Sequence, residues 1–209
     1  MARETTVLDT ADAIALEAEI DVPSDRWAGV VLAHPHPTYG GNMHATVTDA
    51  LFDALPRNGV ATVRFNFRGV GSSGGEHDHG LGERLDVVAA IELMAMFVDG
   101  PLVLSGYSFG ADVSLCVIDP RVDGWFAVAP PLRAVGAGDL LAATDARPKR
   151  LAVAEHDQFN PPDSARASTA SWRSTDIVPI PGADHFLSGR LSLVADECLA
   201  FTRELVGRA

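Results

Sequence analysis

One serine stands between two glycines in a setting that suits nucleophilic catalysis. The stretch from Gly106 to Gly110 reads Gly-Tyr-Ser-Phe-Gly, with Ser108 at its centre. The apolar run before it predicts a strand, and the run after it predicts a buried helix that ends before Pro120. A serine at such a strand-to-helix turn presents its hydroxyl above the sheet edge, near the positive end of a helix. We therefore expect Ser108 to be a nucleophile and the backbone N–H of Phe109 to face a developing oxyanion.

Two further side chains complete what an activated serine requires, namely a base and a group that orients the base. In this arrangement the acid and then the histidine follow the serine along the chain, at the carboxyl ends of strands. Asp157 follows one predicted strand, with Glu155 as the alternative acid, and His185 follows the last strand. Taken singly, the acid fits a helix cap and the histidine a solvated side chain. Their order favours a triad with Ser108, whereas His156 lies too near the acid to be a convincing base.

The loop after an early apolar run is placed to supply a second oxyanion donor. Residues 29–33 are followed by His-Pro-His-Pro from His34 to Pro37, and the two prolines lack an N–H and stiffen the turn. The N–H of His36 is the donor nearest the strand end, so we expect it to act together with Phe109. Two histidines also suggest a metal site, but no third ligand follows at a suitable spacing. We therefore expect neither a metal nor a cofactor.

A glycine-rich stretch imitates a nucleotide-binding motif. Residues 69–74 match Gly-x-Gly-x-x-Gly and follow a predicted strand, but the loop continues through Gly80 and no helix opens at the glycines. A dinucleotide site needs a helix N-terminus for the pyrophosphate. We therefore interpret the stretch as a surface loop anchored by the side chain of Arg68, with His77, Asp78 and His79 in solvent.

The predicted elements alternate between strand and helix. Residues 29–33 form a continuous apolar run, typical of a central parallel strand, whereas residues 14–22 alternate and predict an antiparallel edge strand. Further strands are predicted over residues 5–9, 60–67, 101–105, 122–129, 150–154 and 176–180. Helices are predicted over residues 43–57 (with Asn42 as N-cap), 83–97, 111–118, 139–144, 162–171 and 187–205. This alternation predicts an α/β fold with a mostly parallel sheet covered by helices on both faces.

Composition and charge limit the classes of protein to which the chain can belong. Its 209 residues are enough for one domain with a large hydrophobic core and are short for two domains. We therefore predict a single domain over residues 1–209. A net charge of −12 argues against nucleic acid and anionic membranes as partners. No apolar signal region follows Met1 and no apolar run is long enough to span a bilayer, so we expect a cytoplasmic protein. Cys116 and Cys198 fall in predicted helices and are expected to be buried thiols.

Together these motifs resemble the α/β-hydrolase superfamily, and most closely its small bacterial members with a His-Pro-x-Pro oxyanion loop, relatives of dienelactone hydrolase and of the acyl-peptidase branch. The stretches that carry the resemblance are residues 34–41, 65–74 and 106–110, and Asp157 with residues 182–186. The resemblance implies an α/β-hydrolase fold and the same triad. Enzymes of the dienelactone hydrolase type carry a cysteine nucleophile. The serine here favours a general esterase over a lactone specialist.

The helix predicted directly after Ser108, over residues 111–118, is called the elbow helix here. Many members of that superfamily carry a helical lid after the strand that follows this helix. The corresponding stretch here, residues 130–149, is too short for more than one helix, so we expect an open site. Its expected walls are mostly aromatic side chains near strand ends. They are His36, Tyr39, Tyr107, Phe109, Leu132, Phe159 and Phe186.

The sequence thus predicts a lidless serine hydrolase that cleaves small carboxylic esters through an acyl-enzyme, with a small-molecule ester as its partner. A thioesterase, acyltransferase or peptidase with the same triad is the alternative among enzymes. A catalytically silent scaffold that binds a small molecule or a protein is the alternative from another class. Fold and triad specify neither the acyl group nor the oligomeric state.

Overall fold

An eight-stranded sheet forms the framework of the protein, as a computed structural model describes it for residues 3–206. The strands are β1 (Glu4–Asp9), β2 (Ala15–Asp21), β3 (Ala28–Ala33), β4 (Val60–Phe65), β5 (Leu102–Tyr107), β6 (Gly124–Val128), β7 (Lys149–Ala154) and β8 (Thr175–Ile180). Their order across the sheet is β1-β2-β4-β3-β5-β6-β7-β8. The pairs β1–β2 and β2–β4 are antiparallel and the others are parallel, which confirms the predicted mostly parallel sheet. Met1, on which the expectation of a cytoplasmic protein partly rests, lies outside the described residues.

Helices cover both faces of this sheet. They are α1 (Thr46–Ala54), α2 (Glu83–Ala95), α3 (Phe109–Cys116), α4 (Pro162–Ser168) and α5 (Leu191–Val206). Strand β3 shows why its sequence is apolar throughout, since Val31 packs in the cluster that includes α2 and α3, whereas Val30 packs in the cluster that includes α1 and α5. A strand with a hydrophobic core on each side needs apolar side chains at every position.

Strand β2 alternates as expected but does not lie at the edge. Leu16, Ala18 and Ile20 are buried, whereas Glu17 and Glu19 between them are only partly covered. The strand pairs with β1 on one side and with β4 on the other, so β1 forms the edge. The prediction of an edge strand was wrong because alternation reports one solvated face and says nothing about whether both edges are paired.

Helix starts also differ from the predictions, for reasons in the preceding backbone. Helix α1 begins at Thr46 rather than at residue 43, and its N-cap is Ala45; the side chain of Asn42 instead accepts from the N–H of His44 within a preceding turn. Helix α5 begins at Leu191 rather than at residue 187. Leu187 has a φ of 58°, a left-handed conformation that a helix cannot include.

The segment after β6 contains no helical lid. Residues 130–148 form only two short 3₁₀ turns, Ala137–Asp139 and Leu141–Thr144, where one short helix was predicted. Among residues 3–206, no helix combines the length and apolar character needed to cross a membrane. Cys116 and Cys198 are buried free thiols as expected, and burial raises the pKa of each to about 12.

Candidate active site

Ser108 lies at the sharp turn between β5 and α3. Its φ of 55° and ψ of −117° place a non-glycine residue in a conformation that L-residues rarely adopt. The turn is possible because the residues two positions before and after Ser108, Gly106 and Gly110, lack a side chain. A Cβ on Gly106 would overlap with the backbone of Gly110, and a Cβ on Gly110 would overlap with the carbonyl oxygens of Ala33 and His34. The close approach of β5, α3 and the end of β3 therefore requires glycine at both positions.

Three side chains from three loops form one chain of hydrogen bonds. The Nε2 atom of His185 lies 3.0 Å from Oγ of Ser108, and its Nδ1 atom lies 2.8 Å from Oδ2 of Asp157. His185 and Asp157 are only 5% and 3% exposed. A carboxylate only accepts hydrogen bonds, so Nδ1 carries the proton and Nε2 is free to accept one from the serine hydroxyl. The structure thus brings together the serine, histidine and acid that the sequence singled out.

The carboxylate of Asp157 also holds its own loop. Its second oxygen, Oδ1, accepts the N–H of Phe159 at 2.8 Å and the N–H of Asn160 at 3.1 Å. The side chain of Asn160 in turn donates to the carbonyl of Pro130 at 2.9 Å. One oxygen therefore fixes the loop while the other faces the imidazole, so the carboxylate has little freedom to rotate.

The two residues weighed against Asp157 and His185 lie elsewhere. The carboxylate of Glu155 accepts the N–H of Gly182 at 2.7 Å and joins the loops after β7 and β8. The side chain of His156 is 69% exposed and lies 3.9 Å from the carboxylate of Glu155. Neither side chain enters the hydrogen-bond chain that ends on Ser108.

Tyr107 supports His185 from below and does not line an open wall. Its hydroxyl donates to the carbonyl oxygen of His185 at 3.1 Å, and it is only 7% exposed. Burial raises the pKa of Tyr107 to about 12, so the hydroxyl keeps its proton and remains a donor. In contrast, Phe159 and Phe186 are 44% and 59% exposed, and their rings lie edge-on to the imidazole at 4.6 and 5.9 Å. These two rings form an open apolar wall beside the histidine.

The loop after β3 lies against the start of the elbow helix. Phe109 is the first residue of α3, so its N–H has no acceptor within the helix. The ring of His36 lies 4.7 Å from the ring of Phe109 and 4.9 Å from that of Tyr39. Tyr39, also expected to wall the site, is 88% exposed at the tip of this loop. The residues expected to supply the two oxyanion donors are therefore in side-chain contact.

The first histidine of the loop, His34, is a structural residue. It is fully buried; its Nδ1 lies 2.6 Å from the carbonyl oxygen of Pro35, and its Nε2 accepts the N–H of Phe67 at 3.0 Å. Burial lowers the pKa of His34 to about 4, so it stays neutral. Both ring nitrogens are occupied by backbone groups. No group of three metal-binding side chains occurs within the part of the chain that the structure describes.

The glycine-rich loop is anchored as expected, but its histidines are not all in solvent. Arg68 is buried and donates to the carboxylates of Asp86 at 2.7 Å and Asp12 at 2.9 Å. The side chain of His77 is only 13% exposed, and its Nδ1 lies 2.6 Å from a carboxylate oxygen of Glu83. The expectation that His77 is solvated was wrong because the carboxylate of Glu83, in the first turn of α2, is completely buried and faces the loop. The sequence signal that could have indicated this contact is the acidic residue in the first turn of the helix.

Sequence reasoning also missed Asp112. It lies one turn into α3, is buried, and accepts the N–H groups of Leu132, Arg133 and Ala134 at 2.9–3.0 Å. Burial raises the pKa of Asp112 to about 6. Leu132, an expected wall residue, has a φ of 56° in the segment that this carboxylate holds. An aspartate within an otherwise apolar helix was the available signal.

A polar groove of about 710 Å³, open to solvent, lies between the loop after β3 and the glycine-rich loop. Its lining comes from both loops and includes the side chains of Glu17, Asn42, His44, Asn66 and His77. Ser108, His185 and Asp157 are not part of that lining. The groove therefore adjoins the loop after β3 without including Ser108.

Comparison with known proteins places the chain among α/β serine hydrolases. An uncharacterized protein of Rickettsia prowazekii is 31% identical over 168 residues, which cover 75% of this chain and 70% of the relative. An α/β serine hydrolase homologue from Coxiella burnetii is 32% identical, with a TM-score of 0.80 over 100% of this chain and 98% of that one. A lidless α/β serine hydrolase from Xanthomonas campestris is 26% identical, with a TM-score of 0.85 over 99% and 96% of the two chains. No protein-family model matches the chain.

Proposed function

The chain belongs to the α/β-hydrolase superfamily, and from that premise we propose that it is a serine hydrolase that cleaves small carboxylic esters. One observation carries the proposal, the continuous hydrogen-bond chain from Ser108 through His185 to Asp157. Each link has the polarity that nucleophilic catalysis requires, since the hydroxyl donates to a free imidazole nitrogen and the other nitrogen donates to a carboxylate.

The proposed reaction proceeds in two halves. Ser108 Oγ attacks the ester carbonyl carbon while Nε2 of His185 takes the hydroxyl proton, and the positive imidazolium is stabilised by Asp157. The imidazolium then gives that proton to the departing alcohol, which leaves an acyl-enzyme on Ser108. Water repeats the sequence: His185 takes its proton, the hydroxide adds to the acyl carbon, and the serine oxygen departs with the proton that His185 returns. The products are a carboxylic acid and an alcohol, and the enzyme is regenerated.

Two backbone N–H groups would stabilise the negative oxygen that forms in each half. The proposed donors are those of Phe109, at the start of α3, and His36, in the loop after β3. The N-terminus of α3 adds a favourable partial positive charge at this position. Such donors act mainly in the transition state, and losing one typically costs about 10²–10³-fold in kcat.

The shape of the site supports small substrates. Only two short 3₁₀ turns follow β6 where a lid would stand, and the rings of Phe159 and Phe186 are exposed beside His185. The site therefore offers a shallow apolar wall to an acyl chain. A short acyl group can contact this wall fully, whereas most of a long chain would remain in water.

Steady-state hydrolysis of p-nitrophenyl acetate by two serine variants tests the proposal. We expect Ser108→Ala to lose at least about 10³-fold in kcat/KM, because it removes the nucleophile. Ser114→Ala is the matched control, since Ser114 is a buried serine of the same helix, and it should retain wild-type activity. Both variants should keep cooperative thermal unfolding. A folded Ser108→Ala protein within tenfold of wild type would rule out Ser108 as the nucleophile.

A further inference from the structure

One ring contacts the side chains of both residues that are proposed to bind the oxyanion. The ring of His77 lies 5.0 Å from that of His36 and 5.4 Å from that of Phe109, measured between centroids. The rings of His36 and Phe109 are 4.7 Å apart, so the three form one cluster, here called the ring cluster. His77 comes from the glycine-rich loop, which carries none of the triad residues.

Glu83 lies against the ring of His77 and holds the backbone that follows it. Its carboxylate is fully buried; Oε1 lies 2.6 Å from Nδ1 of His77 and accepts the N–H of Asp78 at 2.8 Å. Oε2 accepts the N–H of Gly80 at 2.8 Å. One buried carboxylate thus binds the backbone N–H groups just after His77 and lies in close contact with its ring.

The same loop packs on the start of the elbow helix. A Cβ on Gly80 would overlap with the side chain of Val135 and would lie 3.8 Å from the ring of Phe109. The loop therefore needs glycine here because of its close approach to Val135 and its φ of 89°. At this position the loop also lies in contact with the ring of Phe109.

Among the hydrogen bonds described for residues 3–206, those that join the loop containing His36 to other segments lie at its two ends. At one end His34 accepts the N–H of Phe67, and at the other the N–H of Met43 donates to Oδ1 of Asn66 at 2.8 Å. Between them, the carbonyl of His36 accepts from residues 39 and 41 of the same turn. Those bonds shape the turn but do not attach it to the elbow. The side-chain packing of the ring cluster makes that connection.

We propose that His77, on a loop held by Glu83, is a positioning residue that holds the backbone N–H groups of His36 and Phe109 in the geometry that an oxyanion requires. This inference rests on the proposed function, because without ester cleavage there is no oxyanion to bind. Packing sets the separation of the two donors, and a small error in donor position weakens a hydrogen bond made only in the transition state. Disturbing the ring cluster should therefore lower kcat and leave KM nearly unchanged.

Two alanine variants of neighbouring histidines test the inference. His77→Ala removes the ring that touches His36 and Phe109, whereas His79→Ala removes an exposed ring of the same loop that lies 4.9 Å from His77. We expect His77→Ala to lower kcat for p-nitrophenyl acetate by about tenfold, with KM within about twofold of wild type. A trifluoromethyl ketone, which becomes tetrahedral on the nucleophile, should bind more weakly by the same factor. His79→Ala should match wild type in all three quantities.

His77→Gln keeps a polar side chain beside Glu83 but lacks the ring, and it replaces His77→Ala if that protein does not fold. The same loss of kcat is expected for it. If the folded variant keeps wild-type kcat, or if its entire loss appears in KM, His77 does not position the donors. If wild-type protein neither hydrolyses the ester nor binds the ketone, the proposed function itself fails, and this inference fails with it.

Discussion

The two sides of the site meet at one edge of the sheet but are held by different forces. On the triad side, the side chains of Asp157 and His185 are almost completely buried and connected by directional hydrogen bonds at 2.8 and 3.0 Å. On the proposed oxyanion side, hydrogen bonds hold His36 only within its own turn, ring contacts join it to Phe109, and Tyr39 at the tip of its loop is 88% exposed. In the proposed reaction, the triad side exchanges the proton, whereas the oxyanion side leaves space for the substrate and relies on packing from the glycine-rich loop.

The same contrast appears in how each side uses histidine. His185 has one nitrogen on a carboxylate and the other on a hydroxyl, an arrangement that lets it gain and lose a proton. His34 has both nitrogens against backbone groups in a fully buried position, and it stays neutral. A histidine beside an active site is therefore reactive or structural according to its partners, and residue type alone does not distinguish the two.

The largest expected effect on activity comes from a substitution of the triad acid. Asp157→Asn should lower kcat for a small ester by about 10³–10⁴-fold. The amide oxygen would remain on the N–H groups of Phe159 and Asn160, so the amide NH₂ would donate to Nδ1 of His185, and the proton would move to Nε2, which then could not accept from Ser108. Glu155→Gln is the matched control, since its carboxylate binds only the N–H of Gly182 at 2.7 Å among the hydrogen bonds described for residues 3–206. It should change kcat less than about tenfold. The reverse order of the two losses would assign the acid to Glu155.

The pH dependence of the free energy of unfolding tests whether His34, at the start of the loop after β3, is buried and neutral. The folded protein holds the pKa of His34 near 4, against a reference value of 6.5, so between these values the unfolded chain binds a proton that the native protein does not. The free energy of unfolding is therefore unaffected by His34 above about pH 6.5. It falls by about 3 kcal/mol as the pH decreases from 6.5 toward 4.

Denaturant unfolding of wild type and of His34→Gln measures this contribution directly. The wild type should lose stability more steeply than the variant between pH 6.5 and 4. His156→Gln, a change at a histidine whose side chain is 69% exposed, should keep the wild-type slope. Parallel curves for wild type and His34→Gln would contradict a buried, neutral His34.

The smallest expected effect is on the preference for acyl-chain length, which depends on the exposed rings of Phe159 and Phe186. A deep tunnel would add about 0.8 kcal/mol for each buried methylene, which would appear as a rising preference for longer acyl chains. With no lid over Phe159 and Phe186, we expect kcat/KM for p-nitrophenyl acetate and butyrate to exceed that for esters of ten or more carbons. A steady rise in kcat/KM with chain length would show that the site encloses its substrate.

Local signals carried much of the prediction. The glycines beside Ser108 report a close approach of backbone that only they allow, and the order of Asp157 and His185 along the chain follows from where parallel strands end. The apolar run of β3 likewise indicated a strand with a core on both faces. Such features are local because sterics and periodicity act over a few residues.

Other features depended on contacts between distant segments. Asp112 binds backbone N–H groups about twenty residues further along the chain, and no pattern around it indicates which groups those are. The burial of His77 follows from a carboxylate on the next helix together with rings from two other loops. Tyr107 lies next to the nucleophile in sequence, yet its side chain is buried beneath His185 because β5 turns it toward the core. Side-chain direction at a strand end is set by tertiary packing, which the sequence does not display.

The central claim is that His185 activates Ser108 beside an oxyanion site, and labelling with a fluorophosphonate tests it most directly. The reagent reacts with a serine that has both a base and oxyanion donors, because its phosphorus imitates the tetrahedral intermediate. We expect one label per chain at pH 8, located on Ser108 by peptide mass mapping, lost in His185→Ala and retained in His156→Ala. An unlabelled, well-folded wild type would contradict the claim, as would a label on Ser108 that survives in His185→Ala.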